Sequence, residues 1–177
     1  PKQRIVLGLD LQGGAYLLYE VDKDDYVQKR LVTLTSDVRQ AMLQNPRIGY
    51  SNLGIQGNGV QLRIRDAAQI PEARKRLETL LSPIGGSLLS GGASINEFDL
   101  KISDDGLARL TFTDSGLDQR VRGIVSQSIE VIDRRINELG TTEPGIQRQG
   151  ADRILVEAPG LGDPTRLKEL VGQTAQL

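Results

Sequence analysis

One apolar stripe constrains this chain more than any other feature. Leu117, Val121, Ile124, Val125, Ile129, Ile132, Ile136 and Leu139 recur at helical spacing, which predicts a long helix with one broad buried face. Gly140 follows, at the position where a helix ends on a left-handed residue that glycine adopts cheaply. Pro144 then bars any resumption of helix. Gly145–Gln149 and Arg153–Ala158 read as two strands around a Gly150-Ala151-Asp152 turn. Asp163-Pro164 is an N-cap followed by proline in the first turn. It opens a short helix over Thr165–Val171, and Ala175–Leu177 predicts the start of another strand.

The chain before that stripe has the same grammar. Ile5–Gly14 alternates apolar with small or polar residues and ends in a glycine pair. Ala15–Val21 is apolar on both faces, as in a strand central to its sheet. A helix is expected from Asp24-Asp25 to about Gln44, stopped by Asn45-Pro46. Strands are expected over Tyr50–Gln56 and Val60–Arg65, around Gly57-Asn58-Gly59. The second of these alternates cleanly, so one of its faces is wet. A helix over Asp66–Ser82, a short strand over Gly85–Leu89 and a linker at Gly91-Gly92-Ala93-Ser94 follow. Glu97–Ser103 and Leu107–Thr113 pair through the turn Asp104-Asp105-Gly106.

Read as elements, β-α-β-β-α-β occurs twice, over 15–89 and 107–177. The expectation is an α+β protein of two tandem ferredoxin-like units, 15–93 and 94–177, each an antiparallel sheet with helices on one face. Residues 1–14 form a lead-in. Aromatic residues are 3% of the chain, so branched aliphatics must fill both cores.

Function classes are excluded more readily than assigned. The chain has no His and no Cys, which removes the commonest general base, the commonest metal ligand and every thiolate together. No nucleophile stands with a base, so neither catalysis nor a cofactor is expected. Asp22-Lys23-Asp24-Asp25 lacks the glycine and distal glutamate of a calcium loop and reads as helix capping. Gly160-Leu161-Gly162 precedes a helix, but Asp163 and Pro164 spoil a phosphate site there. A net charge of −1 offers no field for nucleic acid. No run approaches the roughly 20 apolar residues of a membrane span. The start at Pro1 rather than Met suggests a piece of a longer parent.

Two features carry more. Arg135 falls inside the apolar stripe. Either its stem snorkels past the helix end, or its charge is held by Glu143 or Glu157 from the following strands. Gln147, Arg148 and Gln149 are polar for a strand with a buried face. They read as an exposed face or edge, or as a surface that recognises an extended polypeptide.

These same stretches resemble a known family. Leu7-Gly8-Leu9-Asp10-Leu11-Gln12-Gly13-Gly14 is similar to the opening motif of the SecD family of protein-export membrane proteins. Arg134–Gly140, Glu143-Pro144, Ile146–Ile154, Val156–Leu161, Asp163-Pro164 and Gly172–Ala175 resemble its second signature. The family motif residues are Gly8, Asp10, Gln12, Gly13, Gly14, Arg135, Glu143, Pro144, Gln147, Gln149, Gly150, Pro159 and Gly160. The stretch from Asp22 to Gly116 carries no such signature.

The resemblance implies the base of the first periplasmic domain of a bacterial inner-membrane subunit. That subunit works with SecF and the SecYEG channel and uses the proton motive force to help draw unfolded exported polypeptide across. The mobile head and the proton-carrying membrane segments would lie outside this chain, as would its attachment to the membrane. Gly8, Asp10, Gly13 and Gly14 would sit between membrane and sheet as a coupling junction.

Two other classes compete. A tandem ferredoxin-like, ACT-like module would sense a small molecule between its units. An RNA recognition motif shares the element order but needs aromatics on its central strands, and Val60–Arg65 and Arg153–Ala158 have none.

Overall fold

The computed structural model describes residues 3–9, 14–85, 94–138, 145–159 and 163–172. They form two compact units, and one is inserted in the other. Unit 1 is residues 1–26 with 121–177, and unit 2 is residues 27–120.

Unit 1 holds β1 (Gln3–Leu9), β2 (Ala15–Val21), β9 (Gly145–Gln149), β10 (Arg153–Ala158) and α4 (Pro164–Gly172). The long stripe-bearing helix, α3 (Asp114–Glu138), supplies its residues from Val121 onward. The four strands make one antiparallel sheet in the order β1-β2-β10-β9. Alternation decides which face is buried. Ala15, Leu17, Tyr19 and Val21 of β2 and Ile154, Val156 and Ala158 of β10 pack in one core. Val125, Ile132 and Ile136 of α3 and Leu167 and Val171 of α4 complete it. Both helices therefore cover the same side. Tyr19 is fully buried, and its hydroxyl has no partner in hydrogen-bonding geometry. Burial pushes its pKa up, and the nearby Ser128 hydroxyl pulls it down by less.

Unit 2 repeats the plan. β3 (Tyr50–Gln56), β4 (Gly59–Ile64), β7 (Phe98–Ile102) and β8 (Leu107–Phe112) form an antiparallel sheet in the order β3-β4-β8-β7. In both sheets a hairpin, a helix and a second hairpin follow in order, and the later strand of each hairpin lies centrally. α1 (Lys23–Leu43) and α2 (Ile70–Glu78) bury Leu31, Leu34, Val38, Met42, Ala73 and Leu77. A short 3-10 turn, Ala67–Gln69, precedes α2 and is capped by Asp66 Oδ1. β5 (Pro83–Ile84) pairs with β6 (Ile95–Asn96).

The expected α+β class and antiparallel sheets are present, but strand pairing is not confined to 15–93 and to 94–177: the hairpins lie within those ranges, while the central pairings of both sheets cross between them. β2 pairs with β10, and β4 with β8. The expected boundary at 93/94 falls inside unit 2, because β5 and β6 close on each other across it. The expected strand over Gly85–Leu89 and the linker at 91–94 lie largely outside the described residues, as does Ala175–Leu177. The lead-in also differs: Gln3–Leu9 pairs with β2 over its whole length. Ile5 and Leu7 pack against the core, and that burial draws the segment into the sheet.

Capping follows the sequence closely. Asp22 Oδ1 accepts the Asp25 amide at 3.1 Å, and Asp163 Oδ1 accepts the Thr165 amide at 2.9 Å. Among the described residues no helix is long and apolar enough to cross a membrane.

Candidate functional site

One surface that gathers motif residues from both ends of the chain, Gly8, Gln147 and Gln149, is the face of the unit 1 sheet opposite its helices. Residues paired across neighbouring strands share a face, so the register defines rows. One row is Arg4, Glu20, Arg153 and Gln149. The next is Val6, Leu18, Leu155 and Gln147. The third is Gly8, Tyr16, Glu157 and Gly145. Val6 is 50% exposed. Tyr16, Leu18 and Leu155 are half-buried, while Arg4, Arg153, Glu157, Gln147 and Gln149 are exposed. The face thus presents an apolar row between a row of alternating charge and a row ending in glycine on both sides.

Those end glycines have a steric reason. A Cβ at Gly8 would collide with the Tyr16 ring, which leans outward over β1. At the opposite edge, a Cβ at Gly145 would lie 3.4 Å from Glu157 Oε2. Each central side chain therefore covers the bare backbone of an edge strand. At the end of the sheet, a Cβ at Gly14 would lie 3.3 Å from the Ala158 carbonyl oxygen and 3.4 Å from Pro159 Cα. Two motif residues far apart in sequence meet there. Gly150 opens the β9–β10 turn with φ +66°, in the left-handed region that penalises any side chain.

β9 is an edge strand, and its polar composition resolves by alternation. Gln147 and Gln149 lie on the open face. Arg148 pairs with the buried Ile154 and so lies on the helix side, where its guanidinium donates to Ser126 Oγ of α3. The expected edge and the expected exposed face are both realised.

The sequence leaves Arg135 two readings, a stem that passes the helix end or a charge held by Glu143 or Glu157; Glu143 lies outside the described residues, and the structure shows a carbonyl contact for Arg135. Its Nη1 donates to the Leu170 carbonyl in the last turn of α4 at 3.1 Å. Glu157 is on the opposite face of the sheet. The stripe places Arg135 in the last turn of α3, where a guanidinium can also satisfy a carbonyl left open at the end of a neighbouring helix. Asp10, Gln12, Gly13, Glu143, Pro144 and Gly160 lie outside the described residues. Gly8 is a sheet residue, which corrects its expected place in a junction outside the sheet.

Tyr16, Leu18, Leu155 and Val6 were not singled out from sequence. The two-sided apolar pattern of Ala15–Val21 was the signal, since a central strand with one covered face must show its other apolar face somewhere. Among the described residues no group of three or more acidic ligands is placed to hold a metal ion. A cleft of about 410 Å³ at the sheet end is lined by Arg4, Glu20, Asp22, Lys23, Asp24 and Asp152. It is charged, unlike the mostly apolar pockets that hold small molecules.

Comparison with known proteins agrees with the motifs. The family described as protein translocase subunit SecDF, P1 domain, N-terminal, matches residues 125–177, which includes β9, β10 and α4. The protein translocase subunit SecD of Acetobacter pasteurianus is 39% identical over all of this chain and 32% of its own length. That of Rickettsia felis is 35% identical over all of this chain and 31% of its own. That of Pseudomonas aeruginosa is 35% identical over 97% of this chain and 26% of its own. The chain thus spans about a third or less of these relatives. No solved structure matches.

Proposed function

The chain belongs to the SecD family of protein translocase subunits, and on that premise we propose that it helps move exported polypeptide, with the open face and β9 edge of the unit 1 sheet meeting the moving chain. The observation that carries this reading is the three-row face. Its apolar row suits side chains of an unfolded polypeptide, and its edge strand offers main-chain hydrogen bonds that do not depend on sequence. A translocase needs such tolerance because its clients share no sequence. The motif residues Gly8, Gln147, Gln149 and Gly150 all belong to this face or its margin.

In this reading the segment faces the periplasm from the bacterial inner membrane, and SecF and the SecYEG channel are its partners. The proton motive force acts through parts of the parent outside this segment. The segment itself binds and guides, and it catalyses nothing.

The test is site-specific photo-crosslinking in the intact parent. Probes at Gln147 and Gln149 should capture an export substrate arrested in transit, and a probe at Asp99 of β7 should not. Protease added outside spheroplasts should cut within the segment of the membrane-bound parent. A protected segment, or no adduct from either glutamine, would sink the proposal.

A further inference from the structure

Glu97 is the one acidic residue buried to 1% exposure among the described residues, and it stands between β6 and β7. Its two carboxylate oxygens are divided between two helices. Oε1 accepts from Arg30 Nε of α1 at 3.2 Å, and Oε2 accepts from Arg120 Nε of α3 at 2.9 Å. The positions of these arginines matter. The chain leaves unit 1 within α1, between Tyr26 and Val27, and re-enters it within α3, between Arg120 and Val121. Arg30 therefore lies one turn past the first crossing, and Arg120 is the last residue before the second.

The surroundings hold the carboxylate in place. The Glu97 amide donates to the Ser82 carbonyl at 3.1 Å, and the Thr113 amide, at the start of α3, donates to the Glu97 carbonyl at 2.9 Å. Arg30 also donates from Nη2 to Ser82 Oγ at 3.0 Å and lies 4.9 Å from the centre of the Phe98 ring. Ser82 has φ +48°, a strained conformation for a residue with a side chain, and such strain persists only where neighbours over-determine it.

We propose that Arg30–Glu97–Arg120 is a latch that locks the two chain crossings to one another inside unit 2. A pull transmitted along α1 or α3 is then shared by both helices rather than drawn by one. The reason is electrostatic. Parting either arginine leaves the buried carboxylate under-compensated, which is costly, so the two helix segments hold or release together. This inference stands apart from the translocation reading and needs no exported chain.

The test uses the whole chain, which has no native Cys, so spin labels can be placed at single introduced cysteines. Gln28 of α1 and Gln119 of α3 are exposed label sites flanking the latch. Gln56 and Asp99 of the unit 2 sheet serve as a control pair. In E97Q the Gln28–Gln119 distance distribution should widen about twofold while the control pair keeps its width. Amide exchange over 28–31 and 117–120 should quicken at least about tenfold, as expected for a locally opened element. If E97Q broadens the control pair as well, R120Q decides the matter, because Arg120 is 38% exposed and its loss frees α3 alone. An unchanged Gln28–Gln119 distribution in E97Q, or in R120Q where that variant decides, overturns the latch.

Discussion

At the scale of single residues, two positions show how tertiary neighbours set the meaning of a side chain. Gly8 lacks a Cβ because the Tyr16 ring occupies that space. Gly8→Val should cost about 1–3 kcal/mol through overpacking, measured by urea denaturation, and Tyr16→Ala in the same chain should return much of that loss. Full additivity of the two costs would refute the steric explanation. Tyr19 carries a buried hydroxyl without a well-formed partner, so Tyr19→Phe should stabilise the chain by about 1 kcal/mol, in line with the cost of an unpaired buried hydroxyl. Its pKa is raised in the fold, which means the neutral phenol is favoured there. That contribution is complete below the ordinary tyrosine value of about 10 and is lost as pH rises through the raised value. Stability should therefore fall more steeply above pH ~10 in the parent chain than in Tyr19→Phe. Equal alkaline slopes would count against it.

At the scale of elements, helix ends prove as informative as helix faces. The helix of 23–43 was legible from its apolar spacing, its acidic first turn and Asn45-Pro46, and its end was legible to within a residue. What closes that end was not. Arg76 of α2 is 8% exposed, and its guanidinium donates to the carbonyls of Ala41, Gln44 and Pro46 at 2.9, 3.2 and 2.8 Å. Nε also meets Glu72 at 3.0 Å. One side chain thus satisfies carbonyls that the end of α1 leaves open. Arg76→Met keeps the stem but removes these donors, and should cost about 2–4 kcal/mol, given about 1.5–3 for a charge-assisted hydrogen bond. A melting curve that does not move would contradict this account. The strands show the same division. Val60–Arg65 and Arg153–Ala158 were legible by alternation, and the β9–β10 turn by Gly150. Each one's hairpin neighbour was legible too, but which strand each would meet on its other side was not.

At the scale of the whole molecule, the chain is nested rather than tandem. Every residue of the unit 1 core cluster comes from before position 27 or after position 120. Replacing 27–120 by a flexible linker between Tyr26 and Val121 should therefore leave a folded β1-β2-β10-β9 sheet, seen as dispersed amide resonances. Fragments 1–93 and 94–177 should each fail to fold alone, because that cut parts β2 from β10 and β4 from β8. Two independently folded halves would restore the tandem arrangement.

The amino-acid sequence by itself determined most of the elements, their caps and turns, the absence of thiol and imidazole chemistry, and the family. These depend on periodicity, on dihedral preference and on local hydrogen bonds within a few residues. Only the tertiary structure decided that Gln3–Leu9 is a sheet strand, that Arg135 meets a carbonyl of α4, and that Gln147 shares a row with Val6, Leu18 and Leu155. It alone decided that Glu97 gathers Arg30 and Arg120. Hydrophobic burial is non-directional, so an apolar strand carries no label naming its neighbour. The nested pairing is a choice among strands with equivalent patterns, made where the faces of both sheets are buried together with their helices.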